Sequence, residues 1–415
     1  MPLVALVFLA VNLAAIGVVA RGSRTLWLLP NLALLTFAVL YLLPIFTRPI
    51  SDSIFLPILT ANISLALAAL LFRGLPVAAR RHKPPIITGN VFLLLGVLFC
   101  SIGVFAVYQS LAASGGLTSV LLDYGGRGYL AARVNGANSG ILGVLAWASP
   151  FGLAMLLAAW LQQPGRYGVF AVFLVFFGLV MGGYFLLTVR HNAVATLLML
   201  AAVVFRYRGF KLRSALLFAL PLVAVFTVFQ AVRVAGVGQL GLGSIINSTS
   251  QSAEHLEVTE YMIEKTRFDG YTGFSQMLDL PVFLVPRVFW PEKPRTSTLN
   301  RLYFPEQASV GSEKSPGIVA EGYVSWGYPG IIIVSFAFMG LLSFVQARFD
   351  RLKDPLAAAL FAAVFVPYTY MGVRTGVFGK HLVPVIFIYL EYLVAMRLAR
   401  LGLRLRPRAG NIRPD

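Results

Sequence analysis

Basic side chains stand at the ends of apolar segments in this chain, in positions that could bind an anion. They are Arg190, Arg233, Arg374 and Lys380, joined by Arg287 and Lys293 in the segment between two apolar runs. The planar guanidinium group matches the paired oxygen atoms of phosphate, so the pattern favours phosphate binding. A charge at the centre of a bilayer helix costs about 2.5–3.5 kcal/mol, which favours a function for such residues. Snorkelling of single side chains to lipid headgroups is the alternative.

Three residues near these cations could accept a proton from a reacting hydroxyl. Glu321 shortly precedes an apolar run, His191 adjoins Arg190, and Asp269 follows a predicted helix that begins near Ser252. A general base needs a carboxylate or a neutral imidazole within hydrogen-bond reach of the proton that it removes. We therefore predict Glu321 as the first candidate base, His191 as the second and Asp269 as the third.

Aromatic side chains accompany the same segments, namely Trp290, Tyr323 and Trp326. Flat rings of this kind can stack on sugar rings, which would make these residues a sugar-binding surface. Tryptophan and tyrosine are also enriched at membrane–water interfaces, and interfacial anchoring is the alternative for all three.

Several motifs that would indicate a metal or a nucleotide do not occur in the sequence. It contains no Asp-x-Asp pair, no Gly-rich phosphate loop ending in Gly-Lys-Ser/Thr and no His-Glu-x-x-His. Their absence disfavours a nucleotide-sugar transferase, ATP hydrolysis and a zinc protease. The single cysteine, Cys100, allows neither an internal disulfide nor a cysteine-based metal site, and its apolar context predicts an inert buried thiol. We expect no metal and no cofactor.

The composition places these residues in a membrane. Of the 415 residues, 58% are hydrophobic and only 12% are charged, and the mean hydropathy is +0.80. A soluble domain has about 25% charged residues, and a single hydrophobic core stops growing at about 250–300 residues. The sequence therefore predicts an all-α, polytopic integral membrane protein. It argues against a nucleic-acid-binding protein despite the net charge of +18.

Eleven apolar runs could cross a bilayer as helices, which takes about 17–25 residues each. They are residues 1–20, 26–46, 54–72, 91–111, 141–162, 169–189, 193–205, 214–232, 327–347, 356–373 and 381–397. With the N-terminus outside, more than half of the 34 basic residues fall on the inner side, as the positive-inside rule requires.

This topology divides the chain into four parts. Residues 1–232 hold eight transmembrane helices, and residues 233–326 form one large extracytoplasmic loop. Residues 327–397 hold three further helices, and residues 398–415 form a basic cytoplasmic tail. Loops as long as 233–326 are usually functional, so we expect the chemistry at its junctions with the membrane.

Two motifs at those junctions resemble a known family. Pro286-Arg287-x-x-Trp290-Pro291-x-Lys293-Pro294 is followed about thirty residues later by Glu321-x-Tyr323-x-x-x-Gly327-x-x-Gly330, which enters a span. The pair resembles bacterial repeat-unit polymerases of the O-antigen (Wzy) type, over roughly residues 185–350. Arg190 before a short span and Arg233 at the end of another are also similar to that family.

The resemblance implies a metal-independent, inverting glycosyltransferase of the GT-C type in the bacterial cytoplasmic (inner) membrane, with its active site on the periplasmic side. Its substrates would be undecaprenyl-diphosphate-linked oligosaccharides, and a chain-length-regulating co-polymerase would be a partner. We assign the leaving diphosphate to the following basic residues: Arg190, Arg233, Arg287, Lys293 and Arg374.

Two other functions stay open at this point. An O-antigen ligase, or another lipid-linked glycosyltransferase, would use the same kind of donor, and the ligase would use a lipid A core sugar as acceptor. A lipid-linked oligosaccharide flippase or other transporter would make no bond. A transporter should carry internal repeats and mid-membrane charges, whereas here no repeat is evident and Glu391 is the main charge within a span. The polymerase is the prediction that we carry forward.

Overall fold

The computed structural model of this chain is built from helices. It describes residues 2–23, 29–46, 51–73, 89–113, 116, 145–186, 190–208, 254–285, 289–294, 296–309, 313–352, 355–378 and 382–404. Within these ranges there is no β-strand, which confirms the all-α prediction. Four predictions lie outside the described residues, namely the span 214–232, Arg233, Arg287 and Lys380.

The described α-helices are mostly long where the sequence has apolar runs and are shorter in the loop between residues 233 and 326. In chain order they are α1 (Pro2–Ser23), α2 (Leu29–Phe37), α3 (Asp52–Phe72), α4 (Gly89–Ala113), α5 (Ala148–Gln162), α6 (Tyr167–Leu186), α7 (Arg190–Arg208), α8 (Glu254–Asp269), α9 (Asp279–Leu284), α10 (Thr298–Tyr303), α11 (Pro305–Ser309), α12 (Gly317–Phe349), α13 (Pro355–Thr375) and α14 (Leu382–Arg404). Helix α2 continues as a π-helical turn, Ala38–Leu42, and a 3-10 turn, Leu43–Phe46. The helix that the sequence predicts near Ser252 is α8.

Five of the described segments are long and apolar enough to cross a membrane. They are Leu29–Phe46, Asp52–Phe72, Asn90–Ala112, Tyr167–Leu186 and Gly317–Phe349. Three shorter apolar helices, Ala5–Ala20, Ala148–Gln162 and Asn192–Phe205, accompany them. Each of these segments overlaps a run that the sequence predicts, and together their length and composition indicate a membrane protein. The count of eleven spans stays a prediction.

Helices α4 and α5 form a close pair within the bundle. A Cβ atom at Gly152 would stand 2.6 Å from the amide nitrogen of Cys100, and one at Gly103 would overlap Ser149. Small residues at such contacts let membrane helices approach closely. The Cys100 thiol is free and lies buried in this contact, which confirms the burial that the sequence predicts.

Replacing Gly152 with leucine is expected to destabilise the bundle, because the new side chain must occupy the space of the Cys100 backbone. Overpacking a core costs about 1–3 kcal/mol when neighbouring atoms can shift, and backbone atoms shift less than side-chain ends. The purified variant should unfold at a lower temperature than the wild type. Gly178→Leu is the matched control, since no atom lies within 4 Å of a Cβ there. Equal losses in the two variants would contradict the close contact.

Helix α12 is bent at Trp326 and Gly327, whose backbone angles are not helical. Gly327 has a φ of 66°, a left-handed value that strains residues with a side chain. The bend brings the two parts of the helix together, and Gly322 touches Gly330 there. The predicted boundary between loop and span falls on this bend, but the helix itself begins earlier, at Gly317, because the loop residues before the bend are also helical.

Helix α8 and the residues after it pack against the starts of α3 and α12. The Ser53 hydroxyl donates to Glu264 at 3.3 Å, and the Arg267 guanidinium donates to the Ser53 carbonyl at 3.3 Å. The amide of Thr272 donates to the carbonyl of Val324 at 2.9 Å. These bonds fix the described loop helices to one end of the bundle.

Candidate anion-binding site

Two arginine-bearing helix ends lie side by side in the structure. Helices α7 and α13 pack extensively, and Val194 of α7 belongs to the same buried cluster as Tyr370 of α13. That contact lies one turn inside Arg190, which begins α7, and one turn inside Arg374, which is in the last turn of α13. We name this end of the bundle the Arg374 end. The backbones of Arg190 and His191 lie there, and their side chains are outside the described atoms.

Arg374 is buried at this end, with 9% of its surface exposed. None of the described carboxylates forms an ion pair with its guanidinium group. The partial negative charge of the α13 C-terminus favours a cation at this place. A buried charge without a counter-charge is nevertheless costly. A bound anion would supply that counter-charge, so the position is suited to anion binding.

Glu321 is buried, with 1% of its surface exposed, and both of its carboxylate oxygens accept hydrogen bonds. Oε1 accepts from the amide of Phe378 at 3.0 Å, and Oε2 accepts from the amide of Val377. A Cβ atom at Gly376 would stand 3.0 Å from Oε2. The carboxylate therefore holds the turn that follows Arg374. This geometry suits a positioning residue better than the general base that the sequence predicts.

Tyr41 belongs to the same site, and sequence reasoning missed it. Its side chain is completely buried, and its hydroxyl lies within electrostatic reach of Glu321 and Arg374. Gly317 leaves the space for that hydroxyl, because a Cβ atom there would overlap it. Tyr41 lies in the π-helical turn of α2, and such turns are frequent at functional sites. A π-helical turn inside an apolar run has no sequence signature that could have identified it.

Lys293, another predicted phosphate ligand, holds its own loop together in the structure. Its ammonium group donates to the carbonyl of Val285 at 2.7 Å and to the carbonyl of Phe283 at 3.3 Å. These bonds join Lys293 to the C-terminal end of α9. The structure thus gives Lys293 contacts within its own loop, and its assignment to the diphosphate stays a prediction.

A buried aspartate, Asp279, holds the start of α10 through hydrogen bonds. Asp279 accepts from the Thr298 amide at 2.9 Å and from the Thr298 hydroxyl at 2.6 Å. The Arg301 guanidinium lies 3.8 Å from the same carboxylate. Burial raises the pKa of Asp279, and the hydrogen bonds from Thr298 offset part of that increase. Asp279 therefore joins the start of α9 to the start of α10.

Two of the three predicted sugar-stacking residues lie together at the bend of α12. Tyr323 packs edge-on against Tyr271 with ring centroids 6.3 Å apart, and Trp326 packs against Phe274 at 5.1 Å. Tyr323 is buried, whereas Trp326 and Trp290 are exposed. No described ring packs against Trp290. Only the two tryptophans therefore present a ring surface to a ligand.

Asp269, the third candidate base, ends α8 and is exposed. It follows Arg267, whose guanidinium group lies close to the Tyr323 side chain, so it lies near the bend of α12. Its exposure makes it accessible to a substrate, in contrast to Glu321. Of the predicted site residues, the structure therefore places Glu321 beside the turn that follows Arg374, and Arg374 at the same bundle end as the start of α7.

The comparisons with known proteins give one partial match. Residues 253–365 match a domain of unknown function, DUF8712. The matched segment includes α8, Glu321 and the bend of α12, and it ends before Arg374. No curated protein and no solved structure matches the chain.

Proposed function

We propose that this protein is a glycosyltransferase of the bacterial cytoplasmic membrane that polymerises oligosaccharide repeat units linked to undecaprenyl diphosphate. The observation that carries the proposal is a buried cation, Arg374, without a described ion pair, at the same bundle end as Arg190. The motifs in residues 286–294 and 321–330 suggest the substrate class. The proposal includes eleven spans of the GT-C type, with the Arg374 end at the periplasmic face, and a co-polymerase as partner.

In the proposed reaction, a sugar hydroxyl of one lipid-linked repeat attacks the anomeric carbon of a second lipid-linked glycan. The new carbon–oxygen bond forms as the bond from that carbon to the diphosphate oxygen breaks. The anomeric configuration inverts, and undecaprenyl diphosphate leaves. The proton of the hydroxyl passes to a general base, for which Asp269 and His191 are the candidates. Glu321 is not a candidate here, because both of its carboxylate oxygens already accept hydrogen bonds from backbone amides.

Negative charge grows on the diphosphate as the bond breaks, and fixed cations lower the energy of that state. Preorganised charge of this kind is usually the largest single contribution to catalysis. We assign this role to Arg374 and Arg190, and propose that Arg233 and Arg287 complete the set. Glu321 and Tyr41 position Arg374 and do not react themselves.

Tyr41→Phe is expected to raise the KM for the lipid-linked donor about tenfold, because the hydroxyl beside Arg374 is lost. The Tyr41 hydroxyl acts on Arg374 electrostatically and not through a direct hydrogen bond, so we expect an effect of about 1.4 kcal/mol, which corresponds to tenfold. The measurement is the initial rate of polymer formation against donor concentration, with kcat expected to change less than KM. Tyr184→Phe is the control, since Tyr184 is equally buried on α6. An unchanged KM in Tyr41→Phe would contradict the assigned role.

The proposed function is tested by incubating the purified protein in lipid nanodiscs with lipid-linked repeat units from its host, in the presence of EDTA and without nucleotide. We expect a ladder of longer lipid-linked glycans together with released undecaprenyl diphosphate. Transfer only when lipid A core is added would identify a ligase. Movement of the substrate across the bilayer without a new glycosidic bond would identify a transporter. Either of these results would overturn the polymerase.

A further inference from the structure

Large apolar side chains are exposed on the segment that runs from the end of α8 to the bend of α12. Phe268, Tyr271, Leu278, Phe289 and Trp326 are each at least half exposed, and Phe268 and Phe289 are 88% and 80% exposed. We name these five residues the apolar rim. Exposed apolar surface of this extent marks a site of contact with a protein or a membrane.

Several contacts hold the apolar rim at the edge of the helical bundle. The ring of Phe274 lies between Trp326, at 5.1 Å, and Phe378, at 6.4 Å. Phe378 closely precedes α14, and α9, which directly follows Leu278, packs against α14. The apolar rim therefore lies beside the ends of apolar helices and does not project away from them.

The apolar rim is continuous along the chain with a lipid-facing surface. Beyond the bend, α12 exposes Ile333, Leu341 and Phe344, which are spaced to share one face of the helix. Because α12 is long and apolar enough to cross a membrane, this face is suited to contact lipid chains. Trp326 lies at the bend where this part of α12 begins, and tryptophan is enriched at the membrane–water interface.

We propose that the apolar rim lies in the headgroup and upper acyl region of the bilayer at the Arg374 end, so that the loop is an in-plane membrane anchor. A segment that lies in the plane of an interface places its apolar face at the boundary of the acyl chains. The proposal does not depend on the proposed function.

The test uses nitroxide labels on the full chain in nanodiscs, which the single native cysteine makes straightforward. Cys100 is replaced by alanine, and one new cysteine is placed at Leu278, at Phe289 or at the exposed control Glu306 on α11. Electron paramagnetic resonance then compares collisions of each label with oxygen, which concentrates in lipid, and with a water-soluble nickel chelate. We expect oxygen to dominate at positions 278 and 289 and the nickel chelate to dominate at position 306.

Two results would overturn the proposal. Labels at 278 and 289 that resemble the label at 306 would place the apolar rim in water. Labels shielded from both reagents would show that protein, such as a second copy of the chain, covers it. If Cys100→Ala does not fold, brominated lipids replace the labels, since their bromine quenches nearby tryptophan. Quenchable emission should then fall in Trp290→Phe relative to the wild type, because Trp290 is exposed beside Phe289. Unchanged quenching would place that loop outside the bilayer.

Discussion

Arg374→Ala is expected to lower the kcat of polymer synthesis by about 10²–10³, the usual cost of removing one preorganised donor to a developing negative charge. Arg374→Lys should recover only part of the rate, because an ammonium group lacks the planar fork that binds paired oxygen atoms. The measurement is the initial rate of polymer formation by purified variants at equal protein concentration. A loss of kcat of this size would indicate that Arg374 stabilises the transition state.

Stability is expected to move in the other direction in Arg374→Ala. The guanidinium group is buried and forms no ion pair with a described carboxylate, so its removal eliminates a buried charge whose desolvation is costly. The unfolding temperature should therefore stay the same or rise while activity is lost. Arg351→Ala is the control, since Arg351 is exposed near the opposite end of α12. Polymer ladders of normal length from Arg374→Ala would contradict the anion site.

Glu321→Ala is expected to lower activity and stability together. It leaves the buried amide of Val377 and the partly buried amide of Phe378 without their acceptor, and an unsatisfied buried group costs about 1–3 kcal/mol. The turn after Arg374 then loses its fixed position. Glu321→Gln should have a smaller effect on both properties, because the amide oxygen can still accept a hydrogen bond. Thermal unfolding and donor affinity of each purified variant are the measurements.

The two roles considered for Glu321 give different results in Glu321→Gln. A general base would lose its chemistry in this variant while the unfolding temperature stayed at the wild-type value. A positioning residue would lose stability and donor affinity in parallel. Glu292→Gln is the control, because Glu292 is exposed in the same loop. A Glu321→Gln protein with wild-type stability and no turnover would restore Glu321 as the general base.

The apolar helices among the described residues could be predicted from the sequence, because length and hydropathy indicate them. An apolar run of about twenty residues matches the thickness of a bilayer, and its backbone is satisfied only within the helix. The run at residues 193–205 is shorter, yet α7 forms there because the polar residues Arg190 and Arg208 extend it at both ends.

The contacts of the site could not be predicted, because they join residues that are far apart in the sequence. Glu321 and Val377 are separated by 56 residues, and nothing near Glu321 indicates that its oxygens meet backbone amides. Lys293 stands in a motif that suggests a ligand, and its ammonium group also donates to two carbonyls of its own loop. Tyr41 depends on a π-helical turn that apolar periodicity does not reveal. The sequence indicates which residue types could act in the site, but the contacts between these residues can be identified only from the three-dimensional structure.

The most direct test of the central claim is the affinity of the protein for undecaprenyl diphosphate without a glycan, measured in nanodiscs. A hydrogen bond to a charged group contributes about 1.5–3 kcal/mol, so Arg374→Ala should weaken binding about tenfold or more. Undecaprenol, which lacks the diphosphate, should bind both proteins equally. Equal affinity of wild type and Arg374→Ala for undecaprenyl diphosphate would contradict the claim that Arg374 binds the leaving group.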